Sequence, residues 1–494
     1  MTQQKTGTLG SASAPEHSQD TADPRRHDSS PGSPGSPGSP GGTARALARA
    51  ARYADAWTAK KSIVALYAVW SLTRLGMLFL LVQDSIGVSN VSDEVNFLYP
   101  RWYQQLTDGS FPVNDVTWQY PPGAGLVFLF PSTLPFLDYF KAFLVLTLLA
   151  DAIVTLALAR QGRSLAGAWM WTGGLPLLLN VPHGRFDIQV TALAVLALLS
   201  ARRHPRLGGV FAALGAMIKV WPLLTLVGTE RGHTSRQAWL SAAAAAGALL
   251  AVLALGFRHS LDFLQQQGAR GVQIESLGGT VLSLMRASGM PIWVESRYGA
   301  LEFSGAHVAT VAQLSMLLTA AAFGWLMFWR GRAAQWTTAT PFDAALAAVL
   351  LFTVTSRVIS PQYLVWLLGL AAVCLTSRHT TQRPVALVLL AASAVTALAF
   401  PTYYLDVMYG SALGITLMVV RNGLLVTAAL LSCQRLWKAT AATTHTASTA
   451  PTAPGSATAA GPSAQPSHDD EPGQDAIPDA AGQLQQVAPP SRRR

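Results

Sequence analysis

Residues 62–82 read SIVALYAVWSLTRLGMLFLLV, a run of 21 residues with one charge, Arg74. As a helix rising 1.5 Å per residue, such a run is about 30 Å long, the thickness of a bilayer's hydrocarbon core. Comparable apolar runs recur at 138–159, 164–181, 187–201, 206–221, 236–257, 306–329, 340–355, 361–376, 384–400 and 411–436. Two pieces are shorter. Residues 123–136 lie between Pro121-Pro122 and Pro131/Pro135 and read as a re-entrant or interfacial helix, and 222–229 follow Pro222 as a half-helix. Across the 494 residues 50% are hydrophobic and 12% charged, against roughly 25% charged in a soluble domain. That composition excludes an ordinary soluble enzyme and a disordered chain. The expectation is an all-α polytopic membrane protein with about 11–13 transmembrane helices.

Outward from these runs, residues 1–42 are rich in Ser, Pro, Gly and Asp, and 438–494 in Thr, Ala, Pro and Ser. Neither segment holds enough apolar surface to offset ordering entropy, so both read as disordered tails. No cleavable signal peptide is expected ahead of the first span. Residues 43–61 read as a basic amphipathic helix at the inner surface, leaving 62–437 as the membrane domain. The formal net charge is +10. The basic residues fall between apolar runs, as the positive-inside rule expects, and so do not suggest a nucleic-acid partner. Arg160/Arg163, Arg202/Arg203/Arg206, Arg231/Arg236, Arg330/Arg332, Arg378/Arg383 and Arg435/Lys438 share one side on this reading, with both termini. That side is then cytoplasmic, and the protein sits in a plasma membrane with two long outer loops, 84–122 and 258–305. Their aromatic residues suggest interfacial helices that shelter a lipid-linked substrate. Cys374 and Cys433 lie in apolar runs without disulfide or zinc-ligand spacing.

Several charged positions cluster at the outer ends of these runs. Asp93-Glu94 opens the first outer loop, where a carboxylate can take a proton from an acceptor hydroxyl. Tyr120 precedes Pro121-Pro122-Gly123, a helix start whose aromatic residues can pack on a sugar or lipid chain. Arg185-Phe186-Asp187 occupies a tight outer turn, where two opposite charges suit either a local helix-capping ion pair or a substrate contact. Lys219 sits late in a span, before Pro222, and reads as snorkelling or as neutralising a phosphate. Arg270, Gly271 and Glu275 lie in the second outer loop. Arg357 offers a phosphate fork, and Gln362 and Tyr363 offer hydrogen bonds to a sugar. Arg74 and Asp151 fall at similar depth and read as a buried structural pair, and Arg421 reads as facing the bundle or a lipid headgroup. No phosphate loop, dinucleotide fingerprint, zinc-protease motif or compact acidic pair is present, so neither cofactor nor metal is expected.

The ordered set Asp93, Tyr120-Pro121-Pro122-Gly123, Arg185-Phe186-Asp187, Lys219-Val220-Trp221-Pro222, Arg270-Gly271-Val272-Gln273-Ile274-Glu275-Ser276 and Ser360-Pro361-Gln362-Tyr363 resembles the actinobacterial GT-C glycosyltransferases of family 87. The likeness runs from about residue 62 to about 436. It implies a multi-pass GT-C fold and a donor in which a polyprenyl phosphate carries a sugar, usually mannose. It also implies an outer-face reaction in which a hydroxyl of a lipid-linked glycan attacks the anomeric carbon. By the resemblance, Asp93 is the general base, with Glu94 beside it as the alternative. Asp187 orients the acceptor or sugar. Lys219, assisted by Arg270 or Arg357, meets the leaving phosphate. Inversion of a β-linked donor gives an α-linked product. A secondary transporter or lipid flippase is the competing reading. It would require two matching halves of inverted topology, and no internal repeat of that kind is legible.

Overall fold

A computed structural model describes residues 42–87, 91–162, 164–263 and 271–441, with side chains from residue 62 onward. Most of both polar tails, and Arg270, lie outside the described residues. The helix Gly42–Gln83 is continuous, so the segment 43–61, read as a helix of its own, runs without a break into the first span.

Among the described residues six helices are long and apolar enough to cross a bilayer: Ser62–Gln83, Tyr139–Gln161, His233–Gly256, Val308–Arg332, Arg383–Thr402 and Ala412–Thr440. This is a multi-pass, all-α membrane architecture. Five shorter apolar helices complete it: Ala124–Thr133, Asp187–Ala201, Pro205–Ile218, Thr340–Thr355 and Tyr363–Leu375. A 16-residue helix such as Thr340–Thr355 rises only about 24 Å, short of the hydrocarbon core. Thr340–Thr355 and Tyr363–Leu375 are buried along nearly their whole length, so protein rather than lipid surrounds them. Their predominantly apolar composition reflects that burial on all sides.

Small residues let the helices close on one another, as packing without a hydrophobic drive requires. A Cβ on Gly209 would stand 2.1 Å from the Ala238 carbonyl oxygen, which fixes the approach of Pro205–Ile218 to His233–Gly256. Three helices meet at Asp151. Its carboxylate accepts from Arg74 Nε at 2.7 Å and NH2 at 3.1 Å, and from the indoles of Trp171 at 2.7 Å and Trp70 at 3.2 Å. The buried pair read from the sequence is therefore present, with every charge hydrogen-bonded.

The basic connections gather at one end of the bundle. Arg330 donates to the carbonyls of Val227 and Thr229 and to Ser235 Oγ. Trp329 Nε1 donates to Thr440 Oγ1 at 3.0 Å, and Arg435 reaches the Thr381 carbonyl at 3.3 Å. Asp343, buried at the same end, accepts from Thr380 Oγ1 and from the Thr381 amide and hydroxyl.

The opposite end carries the two long loops. The first begins with the π-helical turn Glu94–Leu98 and the helix Tyr99–Thr107. Its later part folds back on Asp115, which accepts from Trp102 Nε1 at 3.0 Å and the Thr117 amide at 2.9 Å, and pairs with Arg101. The second loop contains the helix Leu277–Ala287 and an element the sequence did not announce, a small antiparallel sheet. Strands β1 (Val272–Gln273), β2 (Ile292–Arg297) and β3 (Ala300–Gly305) lie in the order β1-β3-β2, with Tyr298-Gly299 turning the hairpin. Both turn residues have positive φ, +53° and +70°, and Gly299 takes it without strain. The strands are too short and mixed to stand out beside apolar helices.

Candidate functional site

A cavity of about 550 Å³ opens between the two loops and the bundle end, within the size range of small-ligand sites. Connections far apart in sequence build it, and each brings its side chain there for a local reason.

Pro222 excludes a continued helix, because its ring would collide with the Ile218 carbonyl four residues earlier. The helix accordingly stops at Ile218, Lys219 takes an extended conformation, and a 3₁₀ segment, Trp221–Leu226, leads back toward the Arg330 end. This is the half-helix expected after Pro222. Lys219 is left at the cavity wall, its Nζ 2.6 Å from Asp187 Oδ1. Rings surround the ammonium: Phe186 at 4.3 Å, Trp366 at 5.4 Å and Tyr120 at 5.6 Å from centroid. Cation–π attraction holds the charge there with little solvent.

Asp187 begins the helix Asp187–Ala201 and is fully buried. Its Oδ1 also accepts from Trp366 Nε1 at 2.6 Å, while Oδ2 has no hydrogen-bond partner. The helix N-terminus favours its negative charge. The local Arg185–Asp187 pair weighed from the sequence does not form. Arg185 instead reaches Glu94, NH2 to Oε1 at 3.1 Å, and donates from NH1 to the Val91 and Gly184 carbonyls at 2.7 Å. Burial is the largest single influence and opposes the guanidinium charge, but Glu94, with Tyr99, Tyr120 and Asp187 adding to it, outweighs burial and raises the Arg185 pKa. Glu94 also accepts from the Tyr99 hydroxyl at 2.8 Å.

Glu94, Tyr120, Arg185, Lys219, Glu275, Arg357, Gln362 and Tyr363 all line the cavity. Asp187 lies behind Lys219. Asp93 is half-buried at the start of the π-helical turn and is not part of the wall, and its side chain caps no helix amide. The cavity therefore brings together most of the positions singled out, with Glu94 as its carboxylate from the first loop.

Glu275 enters from the opposite wall. Burial pushes its carboxyl up to about 7, with Arg421 pulling the other way from 3.8 Å. Arg421 thus faces the bundle interior and not a lipid headgroup. Its neighbour Asn422 donates from Nδ2 to Thr280 Oγ1 at 2.6 Å and to the Ser276 and Glu275 carbonyls at 3.2 and 3.3 Å, fastening the second loop to the last helix.

Sequence reasoning missed Trp366, Trp221 and Gln273. Trp366 stacks between Tyr363, at 3.9 Å, and Trp221, at 5.1 Å, while its N–H holds Asp187. A signal existed for it: Tyr363 and Trp366 are three residues apart, so a helix places them on one face, and an indole N–H in an apolar helix needs a partner. Gln273 lay inside the quoted 270–276 stretch without a role. No group of three or more potential metal ligands occurs among the described residues.

The architecture is thus a multi-pass helical bundle with a charged, aromatic-walled cavity under two long loops. Residues 118–361 match the model of glycosyltransferase family 87, so this membrane core is that of a glycosyltransferase, consistent with the GT-C superfamily. Comparison with curated proteins gave no match, and neither did comparison with solved structures. The matched segment runs from Trp118 to Pro361 and so holds Tyr120, Arg185, Asp187, Lys219, Glu275 and Arg357, while Asp93 and Glu94 precede it.

Proposed function

We propose that this chain transfers a hexose, mannose in the first instance, from a polyprenyl-phosphate donor to a lipid-linked glycan at the outer face of a bacterial plasma membrane, with both termini cytoplasmic. The observation that carries the reading is one cavity lined by a first-loop carboxylate, Glu94, together with Arg185, Lys219 and Arg357. Such a set suits a single displacement. The acceptor oxygen bonds to the anomeric carbon as the bond from that carbon to the phosphate oxygen breaks. The hydroxyl proton passes to a carboxylate, and the electron pair leaves with polyprenyl phosphate. The phosphate is the leaving group, so catalysis rests on positioning and on charge stabilisation away from water.

In this reading the base comes from Asp93-Glu94, with Glu94, on the cavity wall, the residue in reach of an acceptor. Lys219 and Arg357 take the phosphate, and Gln362, Tyr363 and Tyr120 contact sugar or lipid. Asp187, which no ligand can reach past Lys219, acts by positioning that ammonium and Trp366. Arg270 is assigned to the phosphate by the resemblance alone.

The test uses purified protein in lipid nanodiscs with radiolabelled polyprenyl-phosphate mannose and a lipid extract from an actinobacterial envelope. Wild type should move label to a new lipid. Glu94→Gln should fold and lose about 10²–10⁴-fold in turnover, the usual worth of a general base. If Asp93→Asn alone has that effect, the base moves one residue. If wild type transfers nothing from mannosyl or arabinosyl donors, the donor class is wrong.

A further inference from the structure

Part of the cavity wall is unclaimed by the scheme above. Gln273 and Glu275 are 4% and 3% exposed, yet both line the cavity. The Gln273 Nε2 donates to Glu275 Oε2 at 3.1 Å, which locks the two side chains together. Gln273 Oε1 is then left without a hydrogen-bond donor, while Glu275 Oε1 is turned toward Arg421 NH2, 3.8 Å away. Buried acceptors left this way are costly, and most native ones are satisfied. An acceptor of this kind on a residue lining a ligand cavity calls for a donor from the ligand. A phosphate has none to offer, and a polyprenyl chain has none. A sugar hydroxyl is such a donor.

The support behind this edge is rigid. Asn422 grips the Glu275 and Ser276 carbonyls, Arg421 stands behind Glu275, and Ser276 Oγ caps the helix Leu277–Ala287 by accepting from the Gly279 amide at 2.8 Å. The edge also adjoins the proposed phosphate site, since the Gln273 amide donates to the Arg357 carbonyl at 3.0 Å. A sugar whose phosphate lies at Arg357 would find its hydroxyls beside Gln273 and Glu275.

The geometry points to the Gln273–Glu275 edge as the subsite that recognises a hydroxyl on the donor sugar, with Glu275 holding Gln273 in place and Gln273 a specificity-determining residue. This rests on the reading of the cavity as a polyprenyl-phosphate-sugar site. It assigns the sugar to the second-loop wall, and the phosphate to Lys219 and Arg357.

Binding to nanodisc-embedded full-length protein separates the two parts. The probes are polyprenyl-phosphate mannose and the sugar-free polyprenyl phosphate of equal chain length. Wild type should bind the sugar-bearing probe at least about tenfold more tightly, the usual effect of a hydrogen bond to a buried, otherwise unpaired acceptor. Gln273→Leu should cut that preference to about threefold or less while leaving affinity for the sugar-free probe within about twofold. Glu275→Gln keeps the side-chain shape and the fold, and should also reduce the preference. Lys219→Met should weaken both probes alike. Variants at 273 and 275 that keep the wild-type preference overturn the subsite and leave the donor reading standing. A wild type that binds neither probe, or both equally, overturns the donor reading and the subsite with it.

Discussion

Lys219 and Asp187 allow stability and catalysis to be separated in one set of variants. Their charged atoms are 2.6 Å apart, and the two side chains are 10% and 1% exposed. Removing one partner of a buried pair costs roughly 3–5 kcal/mol, because the other charge is stranded, whereas replacing both with apolar groups is often neutral. Each partner here keeps some help. Asp187 retains the Trp366 indole and the N-terminus of its helix, worth about 0.3–1 kcal/mol, up to about 2 when partly buried. Lys219 retains the three rings, worth up to about 2 kcal/mol where water is scarce. Lys219→Met and Asp187→Leu should therefore each destabilise by about 3 kcal/mol, the lower end of that range. The double variant should recover most of the loss and return to within roughly 1–2 kcal/mol of wild type. Activity should not recover, because the ammonium proposed for the phosphate is gone. Thermal unfolding in nanodiscs reads the first quantity and label transfer the second. A double variant no more stable than Lys219→Met refutes the coupling. A double variant that turns over normally refutes the role of Lys219.

Three further expectations concern other parts of the molecule. Asp151→Leu strands Arg74 among buried groups and should cost about 3–5 kcal/mol, with Arg74→Met/Asp151→Leu clearly more stable than Asp151→Leu alone in the same unfolding assay. Glu275 should make stability pH-dependent. Its proton stays on in the folded chain up to about 7 but leaves the unfolded chain above 4.5, so stability falls as pH rises between those values and is flat beyond. The interval corresponds to roughly 3 kcal/mol, and equal pH slopes for wild type and Glu275→Gln would contradict it. A Cβ at Gly123 would stand 2.6 Å from the Met217 carbonyl oxygen, a backbone atom that cannot yield cheaply. Gly123→Ala should therefore destabilise by about 1–3 kcal/mol and reduce transfer by shifting Tyr120, measurable by unfolding and label transfer.

The apolar runs were sufficient to determine a helical membrane protein, because hydrocarbon admits no unsatisfied backbone and a 62–82 stretch has one economical conformation there. The proline at 222 was sufficient to end a helix beside Lys219, since the missing N–H and the ring clash are local facts. Arg74 and Asp151 could be paired from depth alone, because an isolated charge at that depth is too costly. The quoted motifs likewise placed most cavity residues on the list before any geometry was known. Partner choice was not legible. Arg185 and Asp187 are two residues apart, yet they turn to Glu94 and Lys219, which come from other connections. The small sheet depends on pairing between 272–273, 292–297 and 300–305, and no single strand of that length signals itself. Trp366 and Gln273 became functional candidates only when a stacked neighbour, a buried carboxylate and an unfilled acceptor were seen around them. Solvation energy is a property of each residue's own chemistry, so sequence could fix the environment. Pairing is a property of distance between segments, and only the tertiary structure decides it.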